Sequence, residues 1–122
     1  MIQKLLKTII GSNAQERKAE LYRNLIRHEA QIGGKLFGPV PTGGKREFFC
    51  LDERTWVWHE EWVDEQGQRR TKTTRYDVRP MGILKAQDGG NYQPISDDEA
   101  RNLRSAARLY RQRVQSELYD RI

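Results

Sequence analysis

Among 122 residues there is one cysteine, Cys50, which excludes an intramolecular disulfide framework and a cysteine-based zinc cluster. It falls in the middle of an apolar run, where an inert thiol in a reducing, cytoplasmic setting is the natural reading. Histidines number two, His28 and His59, too few for an imidazole-rich metal site, so neither metal nor cofactor is expected. No apolar run nears the roughly 20 residues that cross a bilayer. Met1–Ile10 is too short, and too interrupted by Lys4 and Lys7, for a signal peptide.

Charge, in contrast, is plentiful. It makes up 32% of the chain against 36% hydrophobic residues, with a net charge of +5, a lean composition that suits one small domain with long solvated helices. Residues 1–35 hold seven Lys or Arg and three Glu, whereas residues 36–95 hold nine of each sign. Residues 96–122 hold six Arg and five acids. The basic excess therefore belongs to the flanks of the chain and not to its centre.

That centre, Glu47–Val78, reads as three extended runs. Val57, His59, Glu61 and Val63 alternate with Trp56, Trp58, Glu60 and Trp62, the period of two that marks a strand. Asp64–Gln68 contains the glycine that a tight hairpin needs. With Gln66 and Gly67 as a two-residue turn, Glu61 would face Lys72, His59 would face Thr74, Trp58 would face Arg75 and Val57 would face Tyr76. On the other side, a turn at Asp52–Thr55 would set Leu51 opposite Trp56, Phe49 opposite Trp58 and Phe48 opposite His59. One face would then gather Phe49, Leu51, Trp56, Trp58 and Trp62 as the core. The opposite face would hold Phe48, Cys50, Val57, Val63, Tyr76 and Val78, only partly covered. Three strands alone are marginal in water, so helices must pack on them.

The flanks supply those helices. Ile2, Leu5, Leu6, Ile9 and Ile10 give residues 1–10 an amphipathic pattern, for which packing on the domain itself or on a partner is favoured over a membrane surface. Ser12 and Gln15 have the spacing of a capping box, opening a helix over residues 11–34. Leu21, Leu25, His28 and Ile32 form its stripe, with Tyr22, Ile26 and Glu29 beside it, so His28 reads as a partly buried structural group. Residues 35–45 are a Gly/Pro connector. Its Gly38–Lys45 segment fails as a phosphate loop, because Gly44 and Lys45 stand where lysine and serine or threonine are required and a strand follows. Residues 46–95 make the β-meander, ending in a short strand near Ile83–Lys85 and an extended Tyr92–Ile95. Ser96 and Glu99 then open a helix over residues 96–120. Ala100, Leu103, Ala107, Tyr110, Val114 and Leu118 are its buried stripe. The expected fold is thus α+β: amino-terminal helices, an antiparallel meander of three to four strands, and a long carboxy-terminal helix on the sheet.

Two sets of residues could carry function. Between Ala100 and Ser116 stand five arginines and no acid. Arg101, Arg104, Arg108 and Arg111 lie along one edge, where guanidinium groups could dock an acidic protein or a nucleic-acid backbone. This is the leading reading: a non-enzymatic interaction module, with a homodimer left open. The alternative is a pocket for a small ligand, with or without catalysis, lined by Trp56, Trp58, Glu60, Trp62 and Arg75. There a carboxylate among indoles needs a cation such as Arg75 or a helix arginine, or its pKa rises. His59 beside Glu61 reads as a structural pair, with Glu61 bridging to Lys72 and His59 stacking on Phe48 or Tyr76.

Overall fold

Residues 14–121 are described by a computed structural model. Its elements in chain order are α1 (Ala14–Gly34), β1 (Lys45–Cys50), β2 (Thr55–Val63), β3 (Arg69–Arg79), β4 (Gly82–Gln87), β5 (Gln93–Pro94), α2 (Asp97–Glu117) and a 3-10 turn at Tyr119–Arg121. The strands form one antiparallel sheet in sequence order, β1 to β5. The expected α+β architecture is therefore present, with a two-residue fifth strand closing the meander. The amphipathic Met1–Ile10 segment and the Ser12 cap lie outside the described residues.

Two aspartates set the register of this sheet, and they set it one residue away from expectation. The Asp64 side-chain Oδ1 accepts N–H bonds from Gln66 and Gln68, each at 2.9 Å. The Gly67 N–H donates to the Asp64 carbonyl at 3.0 Å, and Gly67 adopts φ +77°. Those contacts make a three-residue loop, a type I turn closed by a left-handed glycine, in place of the two-residue turn. Asp52 acts similarly before β2, where its Oδ1 accepts the Arg54 N–H at 2.9 Å and Leu51 pairs with Thr55. Trp58 thus faces Phe48 and Thr74, Trp56 faces Cys50 and Tyr76, and Val57 faces Phe49 and Arg75.

A slip of one residue exchanges the faces of a strand. Phe48, Cys50, Tyr76 and Val78 therefore join the tryptophans, while Phe49, Leu51 and Arg75 belong to the other face. The alternation within β2 itself is as expected.

The tryptophan face is the core. Phe48, Trp56 and Ile83 from the sheet are buried against Leu103, Ala106, Ala107, Tyr110 and Val114 of α2. Phe48 stacks on Trp56 with centroids 5.2 Å apart, and Tyr110 meets both rings edge-on, at 5.9 and 5.3 Å. Such pairs add roughly 0.5–1.5 kcal/mol each beyond the area they bury. The helix begins where Ser96 accepts the Glu99 N–H at 3.1 Å. The capping box is one-sided, because the Glu99 carboxylate reaches across to Lys85 and Tyr76, at 2.8 and 3.0 Å.

Helix α1 closes the sheet edge at β1. A side chain at Gly33 would place its Cβ 1.8 Å from the Phe48 carbonyl oxygen, and one at Gly34 would lie 1.9 Å from that of Arg46. Backbone thus lies on backbone, and the outward carbonyls of an edge strand are hidden from a second chain. The buried line of α1 is Leu25, Glu29, Ala30, Gly33 and Gly34. It is rotated by one residue from the expected stripe, so His28 is exposed and Glu29 is buried. Tyr119 donates to Glu29 at 3.1 Å. Burial nevertheless pushes the Glu29 pKa up, against the lowering effect of hydrogen bonds from Tyr119 and Tyr110.

Candidate functional site

Helix α2 crosses the middle of the tryptophan face and leaves a groove along each flank. Helical spacing decides which residues reach which side. Glu99, Asn102 and Ala106 turn to one groove, and Arg104, Ala107, Arg108 and Arg111 to the other. Leu103 lies between them and lines both.

The second groove, of about 550 Å³, is rimmed by Arg104, Arg108 and Arg111 on the helix and by Arg79 at the end of β3. Trp56, Val78, Ile83, Leu103 and Ala107 form its floor, and Glu53 is the one acidic group among its lining residues. The Arg111 guanidinium carbon sits 5.5 Å from the Trp56 ring centre, an arrangement that orients a cation without neutralising it. Arg79 is held by Asp77 at 2.8 Å. Among the described residues no carboxylate lies within 4.0 Å of Arg104, Arg108 or Arg111. Arg101, the fourth arginine expected on this edge, is bonded to Asp98 and does not line the groove.

The first groove is smaller, about 330 Å³, with Phe37, Phe48, Trp58, Leu103 and Ala106 as its apolar surfaces and Glu60, Lys72, Lys85 and Glu99 as its charges. Of the five residues expected to line a pocket together, it brings in only Trp58 and Glu60. Trp56 is buried beneath α2 and lines the arginine groove instead. Trp62 stands at the hairpin end, 37% exposed. Arg75 points to the opposite sheet face, paired with Val57 in the actual register, so it cannot serve Glu60. Glu60 instead accepts the Trp58 indole N–H at 2.6 Å, with the Arg46 Nε at 4.0 Å. Arg46 is itself tied to the carbonyls of Gly34 and Gly38, each at 3.3 Å.

The Lys85 ammonium and the Tyr76 hydroxyl hold the Glu99 carboxyl below its ordinary pKa. Burial and the adjacent Glu99 push the Tyr76 hydroxyl well above its own.

On the opposite sheet face, where Val57 and Ala86 are buried, His59 bonds Thr73 Oγ1 at 2.7 Å and Glu61 at 2.9 Å. Glu61 bridges to Arg69 at 3.4 Å, replacing the expected Lys72 pair, and His59 is hydrogen-bonded instead of stacked. The bond to His59, ahead of the charges of His59, Lys45 and Arg69, lowers the Glu61 pKa. The Cys50 thiol donates to the Asp52 carbonyl at 2.7 Å, and burial raises its pKa. Among the described residues no three His, Cys, Asp or Glu side chains converge on a metal position, and no helix is long and apolar enough to cross a membrane.

Sequence reasoning missed Arg79, which the end of β3 delivers, and Phe37, which lay in a connector read only for its glycines and prolines. The signal for the faces was present: an aspartate opening D-E-Q-G favours the three-residue loop that fixes the register. Compared with known families, curated proteins and solved structures, the chain finds no match in any of the three.

Proposed function

We propose that the chain is a non-enzymatic interaction module whose α2 groove engages an acidic partner. The observation that supports this reading is the convergence of Arg79, Arg104, Arg108 and Arg111 on one groove with a single acid in its lining. Guanidinium groups present fixed forks of donors to carboxylate or phosphate. Arg79 is paired with Asp77, but holding Arg104, Arg108 and Arg111 together with no carboxylate within 4.0 Å among the described residues raises a potential that an anion relieves. The apolar floor adds a second criterion: an acidic protein segment carrying an apolar side chain satisfies both walls and floor, whereas a bare phosphate backbone satisfies only the walls.

The test is fluorescence anisotropy with a labelled acidic peptide bearing one central leucine, and with labelled oligothymidylate for comparison. The expected result is saturable peptide binding that weakens steeply as salt rises, and by tenfold or more in Arg104→Ala plus Arg108→Ala. Preference for the oligonucleotide would transfer the reading to nucleic acid. Binding of both probes unaffected by the double substitution would refute it. The homodimer component is separate. Light scattering on the size-exclusion peak, at low and high salt, must give twice the chain mass of 14.4 kDa, and a monomer under both conditions removes it.

A further inference from the structure

The smaller groove has a charge pattern of its own, independent of the arginines. Three of its five apolar surfaces are aromatic: Phe37 meets Trp58 edge-on at 4.7 Å and Phe48 at 5.8 Å. Most of its charges are already answered by the protein. Lys85 and Glu99 bridge each other at 2.8 Å. Glu60 takes the Trp58 N–H and faces Arg46. Lys72 stands directly opposite Glu60 in the ladder, yet among the described residues no carboxylate lies within 4.0 Å of it. The groove therefore presents an angled aromatic corner, in which Phe37 meets Trp58 at 68° and Phe48 at 85°, beside a lysine that has no carboxylate within 4.0 Å among the described residues, at the lower end of the size range of small-molecule sites.

We propose that this groove binds a small monoanion with a flat apolar body, of the aromatic carboxylate class. The carboxylate meets Lys72 and the ring system lies against Phe37 and Trp58. A cation in the same place would oppose Lys72 with no free acid to receive it.

The experiment uses 2-naphthoate as probe and the indole N–H resonances of the ¹⁵N-labelled chain as reporters, because Trp58 lines this groove and Trp56 the arginine groove. Naphthoate is expected to move the Trp58 resonance saturably in the millimolar range or below. Neutral 2-naphthalenemethanol and the Lys72→Ala variant should each weaken binding about tenfold, while Lys72→Arg retains it and Arg104→Ala plus Arg108→Ala leaves it unchanged. Lys72 is exposed on β3, so its replacement leaves the core intact. Equal affinity for the neutral alcohol, or an unaltered affinity in Lys72→Ala, overturns the proposal. So does a shift at Trp56 without one at Trp58, which would place the anion among the arginines and leave the docking reading standing.

Discussion

Single residues at the α1 interface carry the sharpest tests of the packing. Replacing glycine by alanine inside a helix ordinarily gains about 1 kcal/mol. At Gly33 the added carbon would meet the Phe48 carbonyl at 1.8 Å, an overlap with backbone that no rotamer can relieve. Overpacking of this kind costs roughly 1–3 kcal/mol and sometimes more. Gly33→Ala is therefore predicted to destabilise, seen as a fall of several degrees in Tm, and a rise in Tm would show that α1 does not lie on β1. Glu29 makes a prediction of opposite character. Its pKa is raised in the folded chain, so the native state holds the proton more tightly than the unfolded state does. The sign follows: stability is greatest below the ordinary carboxylate pKa and declines as pH rises through the folded value. Glu29→Gln keeps an acceptor for Tyr119 and removes the titration. Urea midpoints should coincide for the two proteins at acidic pH, and the variant should be the more stable near neutrality. Parallel pH profiles would mean that Glu29 is not desolvated.

At the scale of elements, the loops decide more than the strands they join. Asp64→Ala removes the acceptor for two backbone N–H groups and should cost about 1 kcal/mol. Asp64→Asn, which keeps a side-chain carbonyl, should recover part of that, read from denaturation midpoints. Ser96→Ala removes the N-cap acceptor of α2 and should likewise cost about 1 kcal/mol. The alternation of Trp56, Trp58 and Trp62, the helix start at Ser96 and the stripe from Leu103 to Val114 were all legible in the chain, because each depends on local spacing alone. Which side chains face Trp58 was read one residue out, although Asp64 ahead of Glu65, Gln66 and Gly67 signals the longer loop. That depends on whether a loop holds two residues or three, and one residue moves Tyr76 onto the core face and Arg75 off it. The burial of Glu29 in place of His28 escaped for a related reason: glycines at 33 and 34 draw the helix in along their own line, and only the partner strand reveals it.

At the scale of the whole molecule, α2 roofs the tryptophan face and divides the surface into two grooves of different charge. Three of the four arginines expected along its edge reach one groove, through the same helical spacing that buries Leu103 and Ala107. Arg79 joins them from the last position of β3, where it pairs with Gly82 of β4. The three indoles sit apart in this plan: Trp56 in the floor of the arginine groove, Trp58 in the other, and Trp62 in neither. Titrating the ¹⁵N-labelled chain with the leucine-bearing acidic peptide while following its indole N–H signals is therefore the most direct measurement. The account predicts movement of the Trp56 signal, lost in Arg104→Ala plus Arg108→Ala, with Trp58 and Trp62 unmoved. Movement of Trp58 or Trp62 while Trp56 stays fixed would contradict it.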